Sequence, residues 1–428
     1  MNKKGNVLAI AIMFFLFAMI SFVTGLQNPM GIIVKEQFSA SNAMSQLGNL
    51  ANFIAYAFMG LPAGFILKKY GYKVTSLAAV AVGFIGVGIS WLSGVTESFA
   101  VYLTGAFVSG FSMCMLNTVV NPMLNTLGGG GNRGNQLIQF GGSLNSLSAT
   151  IVPVFVGYLI GEVTEYTAIS DANPALFIAM GIFAVAFVII AFSFIPEPEL
   201  EAAKAAAAAG KKDEESTMAS IKGALSHSNL VFGVIAIFLY VGIEVGIPNI
   251  ANLYMTSPEI GISASVAGTV VGMYWLLMLI GRLVGGVIGG KVSSKVMMTV
   301  VSTVAIIFLL TGMFLPDTNV MFPAINSDLS FSLVEIPLGV VFFVLCGLCT
   351  SVMWGSIFNL AVEGLGKYTS IASGLFMVMV CGGGVLPVIQ GAVADAFNYI
   401  DSYWVLIIAL VYILWFSLLG SKVKKVEK

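Results

Sequence analysis

Apolar residues in this chain run together in long blocks, separated by short polar or glycine-containing breaks. A block of about 20 such residues, coiled at about 1.5 Å per residue, crosses the roughly 30 Å hydrocarbon core of a bilayer. Inside lipid a helix is also what pairs the backbone N–H and C=O groups of such a block. Twelve spans are predicted, over residues 7–27, 44–67, 74–93, 99–121, 135–160, 173–195, 229–254, 262–289, 296–315, 335–360, 370–394 and 401–420. The first follows Asn2, Lys3 and Lys4 as the core of a signal peptide does. It lacks a small-residue cleavage site and equally apolar blocks come after it, so it reads as a retained span.

One stretch interrupts the series. Residues 196–228 open with Pro196-Glu197-Pro198, pass through an alanine run and reach Lys211-Lys212-Asp213-Glu214-Glu215. This divides the chain into a six-helix half, 1–195, a cytoplasmic linker, 196–228, and a second six-helix half, 229–428. An internal echo agrees with the division: Pro153 and Gly157 in span five are matched by Pro387 and Gly391 in span eleven. Duplicated halves rocking about a midplane cavity can move a solute without ever forming a continuous channel. With the amino terminus in the cytoplasm, Lys68, Lys69, Lys73, Arg133, Lys295 and the carboxy-terminal lysines share its side, against Lys35 on the other. Both termini are therefore expected to be cytoplasmic, as in a multi-pass protein of a bacterial-type inner membrane.

Composition narrows the function. With 58% hydrophobic and 9% charged residues the chain is not an ordinary soluble domain. Its 19 Lys+Arg against 20 Asp+Glu leave no basic surplus for nucleic acid. Cys114, Cys346, Cys349 and Cys381 lie in apolar blocks and read as small buried hydrophobes. No nucleophile with its base and no metal-ligand cluster stands out, so no enzyme activity, cofactor or metal is expected.

The informative residues are polar side chains within spans, because an amide or carboxylate facing lipid lacks a partner and tends toward a cavity or a neighbouring helix. The first half offers Gln27 and Asn28 beside Pro29, then Asn117 and Asn121 one helical turn apart, and Asn145. The second half offers Glu244, Asn249, Trp354, Asn359 and Gln390. Amides and a carboxylate can pair with the hydroxyls of a sugar, and Trp275, Tyr274 or Trp354 can cover a pyranose face. Glu244 is the acid placed deepest in a span, which makes it the candidate for a coupling ion as well as for the solute. Arg282, near the end of span eight among glycines, reads as a structural latch reaching water or a loop acid.

Several ordered motifs carry a resemblance. Asn121-Pro122, Leu144-Asn145-Ser146-Leu147, FLYVGIEVG at 238–246, IFNLAVEGLGKYTS at 357–370 and GGGVLPVIQGAVAD at 382–395 are similar to the fucose–galactose–glucose symporters of the major facilitator superfamily, especially the glucose/galactose branch. The resemblance covers nearly the whole chain. It implies an all-α integral membrane protein with the major facilitator fold, and the chain is expected to act as a monomer. It further implies import of a monosaccharide by alternating access, with a proton or sodium ion as co-substrate. An uncoupled facilitator and an exporter of another small solute are the alternatives. The chain departs from the family pattern at three positions: Leu26-Gln27-Asn28 stands for Leu-Asn-Asp, Asn117 for Glu or Gln, and Gly142 for a Gln three residues before Asn145. Amides do not take up protons near neutral pH, so any coupling falls to another group, with Glu244 the candidate.

Overall fold

The computed structural model describes residues 3–128, 131–160, 167–197, 200–201, 217–288, 292–315, 318–326, 330–365 and 368–423. Much of the proposed linker, including its alanine run and charged cluster, lies outside the described residues. Among the described residues twelve helices are long and apolar enough to cross a membrane. The first six are Val7–Gln37, Leu47–Leu67, Lys69–Thr96, Phe99–Leu124, Phe140–Ile160 and Ile169–Phe192. The second six are Ser228–Met255, Ala264–Ile288, Ser294–Met313, Leu338–Val362, Gly374–Ala396 and Asp401–Gly420. They are called spans one to twelve below. The molecule is thus an all-α membrane protein of twelve spans, as expected.

Differences from the sequence expectation lie at the breaks. Span one does not end at residue 27 but resumes as a helix from Gln27 to Gln37. Pro29 sits in the first turn of that second piece and has no N–H to return to the Gly25 carbonyl one turn back, at the break between the two pieces. Spans two and three form one run, Leu47–Thr96, broken at Gly71 near the start of span three, at φ +81°, a conformation that side chains other than glycine's resist. The Glu197 carboxylate accepts from the backbone N–H groups of Tyr72 (2.6 Å) and Lys73 (2.8 Å), capping the start of span three. A Cβ at Gly71 would collide with that carboxylate.

The larger surprise lies between spans nine and ten, where the chain forms an antiparallel hairpin, β1 (Asn319–Ile325) and β2 (Phe331–Pro337). Residues 335–337, assigned from sequence to span ten, belong to this strand, and the span starts at Leu338. Ser265 and Thr269 at the start of span eight donate their hydroxyls to the Ile325 carbonyl at 3.1 and 3.3 Å, and Ile325 N–H donates back to Thr269 Oγ1 at 3.2 Å.

The two echoed glycines both lie where the first six spans meet the last six. A Cβ on Gly157 would stand 3.1 Å from Ser265 Cα of span eight. One on Gly391 would stand 2.8 Å from the Asn42 carbonyl, just before span two. Small residues here let backbones of the two halves approach, the usual basis of helix association in lipid.

Candidate solute cavity

A cavity of about 940 Å³ lies between the two sets of six spans and is lined by residues from both. At one end it reaches Gly285, Gly286, Val287, Ser294, Met297 and Asn359, at the end of the bundle that carries the termini. At the other it stops beneath Asn49 and Asn249, which are both buried.

The first-half amides are held by local bonds that aim them. Asn117 Nδ2 donates to the Tyr56 hydroxyl (3.0 Å) and the Met113 carbonyl (3.1 Å), and Asn121 Nδ2 to the Asn117 carbonyl one turn back (3.0 Å). Asn145 Nδ2 donates to the Phe17 carbonyl of span one at 3.3 Å. In each case the NH₂ group is engaged, while the side-chain oxygen accepts no hydrogen bond from described residues. Gln27 accepts from the Tyr102 hydroxyl at 3.0 Å and also lines the cavity. The Asn28 side chain lies outside the described part of the structure.

In the second half, Trp275 and Trp354 line the cavity, Trp354 edge-on to Tyr240 with ring centroids 6.2 Å apart. Asn359 stands exposed at the rim, its Nδ2 3.5 Å from Ser294 Oγ. Asn249 donates to Gln46, just before span two, at 2.9 Å, forming part of the far wall. Two sequence candidates fall elsewhere. Gln390 is fully buried behind the wall, packed toward Gly246, because its face of span eleven points at span seven rather than inward. Tyr274 is buried too, its hydroxyl 3.0 Å from Thr350 Oγ1, so of the adjacent aromatics only Trp275 reaches the cavity.

The charged side chains of the described lining are Glu244 and Arg282. Arg282 is no latch to water or a loop acid. Its Nη2 lies 3.3 Å from Glu244 Oε1, and the two side chains are only 17% and 14% exposed. Pairing removes the cost of isolated charges within the bundle, and their sum leaves the lining without net charge. Sequence reasoning missed this partnership, along with Tyr56 and Asn49. The signal available was a cation inside an apolar span with an acid in the span before it.

Beyond the far wall the halves are tied by polar bonds. Asp395 accepts from the backbone N–H groups of Asn42 (2.8 Å) and Ala43 (2.9 Å). Lys35 Nζ donates to Asn42 Oδ1 and to the Tyr399 hydroxyl, each at 2.7 Å, and that hydroxyl donates to Asn42 Oδ1 at 2.9 Å. Asn49 Nδ2 donates to the Gly383 carbonyl at 2.7 Å. That carbonyl would ordinarily bond the N–H of residue 387, and Pro387 has none, so the proline frees an acceptor for the other half. The segment 382–395 is thus the seam with span two. Among the described residues no group of three or more His, Cys, Asp or Glu side chains gathers as a metal site would require.

Comparison with known proteins agrees with this architecture. A family model for the Major Facilitator Superfamily matches residues 10–388. A glucose/galactose transporter of Brucella abortus is 28% identical over 426 residues, covering 98% of this chain and 96% of the relative. The L-fucose-proton symporter of Escherichia coli is 22% identical, over 90% of this chain and 85% of its own length. The crystal structure of the transporter FucP in its outward conformation superposes with a TM-score of 0.68 at 19% identity, covering 98% of this chain and all of that one.

Proposed function

The chain belongs to the Major Facilitator Superfamily, and on that premise we propose that it imports a hexose or related monosaccharide by alternating access, coupled to a cation gradient. It is a multi-pass membrane protein and a secondary transporter of a small solute. The observation that carries the sugar reading is a cavity lined by amides from both halves and two tryptophans, whose described charges pair with each other. A cationic or anionic solute would meet no unbalanced opposite charge there, whereas a neutral polyol finds amide oxygens and aromatic faces. The names of the relatives, glucose/galactose and L-fucose transporters, support the same class without choosing between its branches.

In this reading Asn117, Asn121, Asn145 and Gln27 meet hydroxyls from the first half, and Glu244, Trp354 and Trp275 meet the solute from the second. Asn249 and Asn359 bound the site at its far wall and its rim. With both termini in the cytoplasm of a bacterial-type inner membrane, the end reached by the cavity faces the cytoplasm and the polar seam closes the outer side. The monomer holds a complete cavity.

The test is uptake of radiolabelled D-glucose and D-galactose into sealed proteoliposomes under an imposed proton gradient, an imposed sodium gradient, or none. Accumulation above the external concentration under one gradient is expected. Equal, non-concentrative uptake in all three would leave an uncoupled facilitator. That second reading is favoured by one observation: Arg282 already balances the Glu244 charge. Uptake of neither sugar sinks the hexose reading.

A further inference from the structure

Arg282 does more than neutralise Glu244. Its Nη1 donates to the Gly142 carbonyl and the Ser146 hydroxyl of span five, each at 2.8 Å, so a residue of the second half grips the first. A guanidinium carries five N–H donors in a rigid plane. Two are spent on span five and one points at Glu244 Oε1, which leaves Nε–H and one Nη2–H outside these bonds, with the buried Tyr240 hydroxyl as their described neighbour. On Glu244, Oε1 takes the Arg282 bond, and the buried Tyr240 hydroxyl stands beside the carboxylate. What remains exposed of both side chains faces the cavity that both line. Trp275 is seven residues before Arg282, two turns along the same helix face, and lines the cavity with it.

The position depends on a missing side chain. A Cβ at Gly142 would stand 3.6 Å from Arg282 Nη1, so a methyl group fits, but a longer side chain runs into the guanidinium.

Resting on the reading of the cavity as a sugar site, we propose that Arg282 contacts the solute and sets which hydroxyl pattern is accepted. Its remaining N–H groups donate to one hydroxyl oxygen of a neutral pyranose, while Glu244 accepts a hydrogen bond from the neighbouring hydroxyl. A donor and an acceptor side by side suit two adjacent hydroxyls, and Trp275 covers a ring face beside them. The same guanidinium holds span five, so solute contact and the joining of the halves meet in one side chain.

The experiment measures equilibrium binding of radiolabelled D-glucose and D-galactose to the purified full chain, with displacement by their 2-, 3-, 4- and 6-deoxy forms. A buried group built to bond a hydroxyl discriminates strongly against the analogue lacking it, so the wild type should bind at least one deoxy sugar about tenfold or more weakly. In Arg282→Gln that one penalty is expected to fall below about threefold while penalties at other positions persist. A purely structural role would lower the yield of folded protein without erasing a single position's penalty. Gly142→Gln provides a second route, since it retains Arg282 but displaces its head, and the same penalty should shrink.

If wild type shows no deoxy penalty, or if folded Arg282→Gln or Gly142→Gln keeps every one, the assignment of Arg282 is overturned while the sugar reading stands. If wild type binds neither hexose, both fall.

Discussion

At the end of the bundle away from the termini, span eleven lies against the start of span two, and Asp395, Asn49, Asn249, Lys35 and Tyr399 take part in polar bonds between the halves. Beside the termini the same two spans meet through apolar contact, Gly60 against Val378 and Gly374 against Leu61. There the polar tie described between halves is Arg282 on span five. The contrast shows what each end must give up when the halves rock. The far end must exchange several directional bonds for water, and the near end must part an apolar surface and release one guanidinium. A transporter that alternates needs neither end too strong, because the two closures compete for the same helices.

The largest effect is expected where a charge is left alone. Glu244→Ala strands Arg282 within the bundle and should cost about 3 kcal/mol of stability, read as a lowered unfolding temperature in detergent. Adding Arg282→Met should return part of it. An unchanged unfolding temperature in Glu244→Ala would mean the pair is too well hydrated to matter.

Next comes Gly391→Leu, which forces side-chain atoms against the Asn42 backbone and should disfavour closure of the far end by about 2 kcal/mol. A cysteine placed at Gln46 would then react more than about tenfold faster with a membrane-impermeant maleimide. Unaltered reactivity would mean the seam tolerates the bulk. Asp395→Asn removes the charge from two hydrogen bonds but keeps an acceptor. It should shift the same labelling in the same direction by about 1 kcal/mol, less than the glycine change. Smallest is Gly181→Ala, where an added carbon meets nothing within 4 Å. Stability within about 0.5 kcal/mol of wild type is expected, and a larger loss would show that glycines count for more than the close approach they permit.

The twelve spans were legible because each is a long apolar run with its own backbone pairing, a signal that needs no knowledge of neighbours. The hairpin was not. Its strands are seven residues each, Pro323 interrupts the first, and its dock on Ser265 and Thr269 lies more than fifty positions away in sequence. Arg282 misled for a related reason. The flanking Gly281, Gly285 and Gly286 make its segment look like a helix end, and nothing local reveals that Glu244 and Gly142 face it. Gln390 shows the converse, since a polar residue in a span need not face the cavity: its side chain is buried toward span seven, and neither its oxygen nor its nitrogen has a hydrogen-bond partner among the described residues. The echo of Pro387 and Gly391 was visible in the chain, yet its meaning came only when Asn49 was found on the carbonyl that the proline frees.

The hairpin has a mechanical side. Strand β2 runs without a break into span ten, and Ile325 at the end of β1 is bonded to the first turns of span eight. The strands therefore act as a strut of fixed length, and the tips of spans eight and ten away from the termini cannot spread apart unless the bonds at Ile325 give way first. Because Ser265 also supports Gly157, any load on that strut is delivered to the joint between the halves.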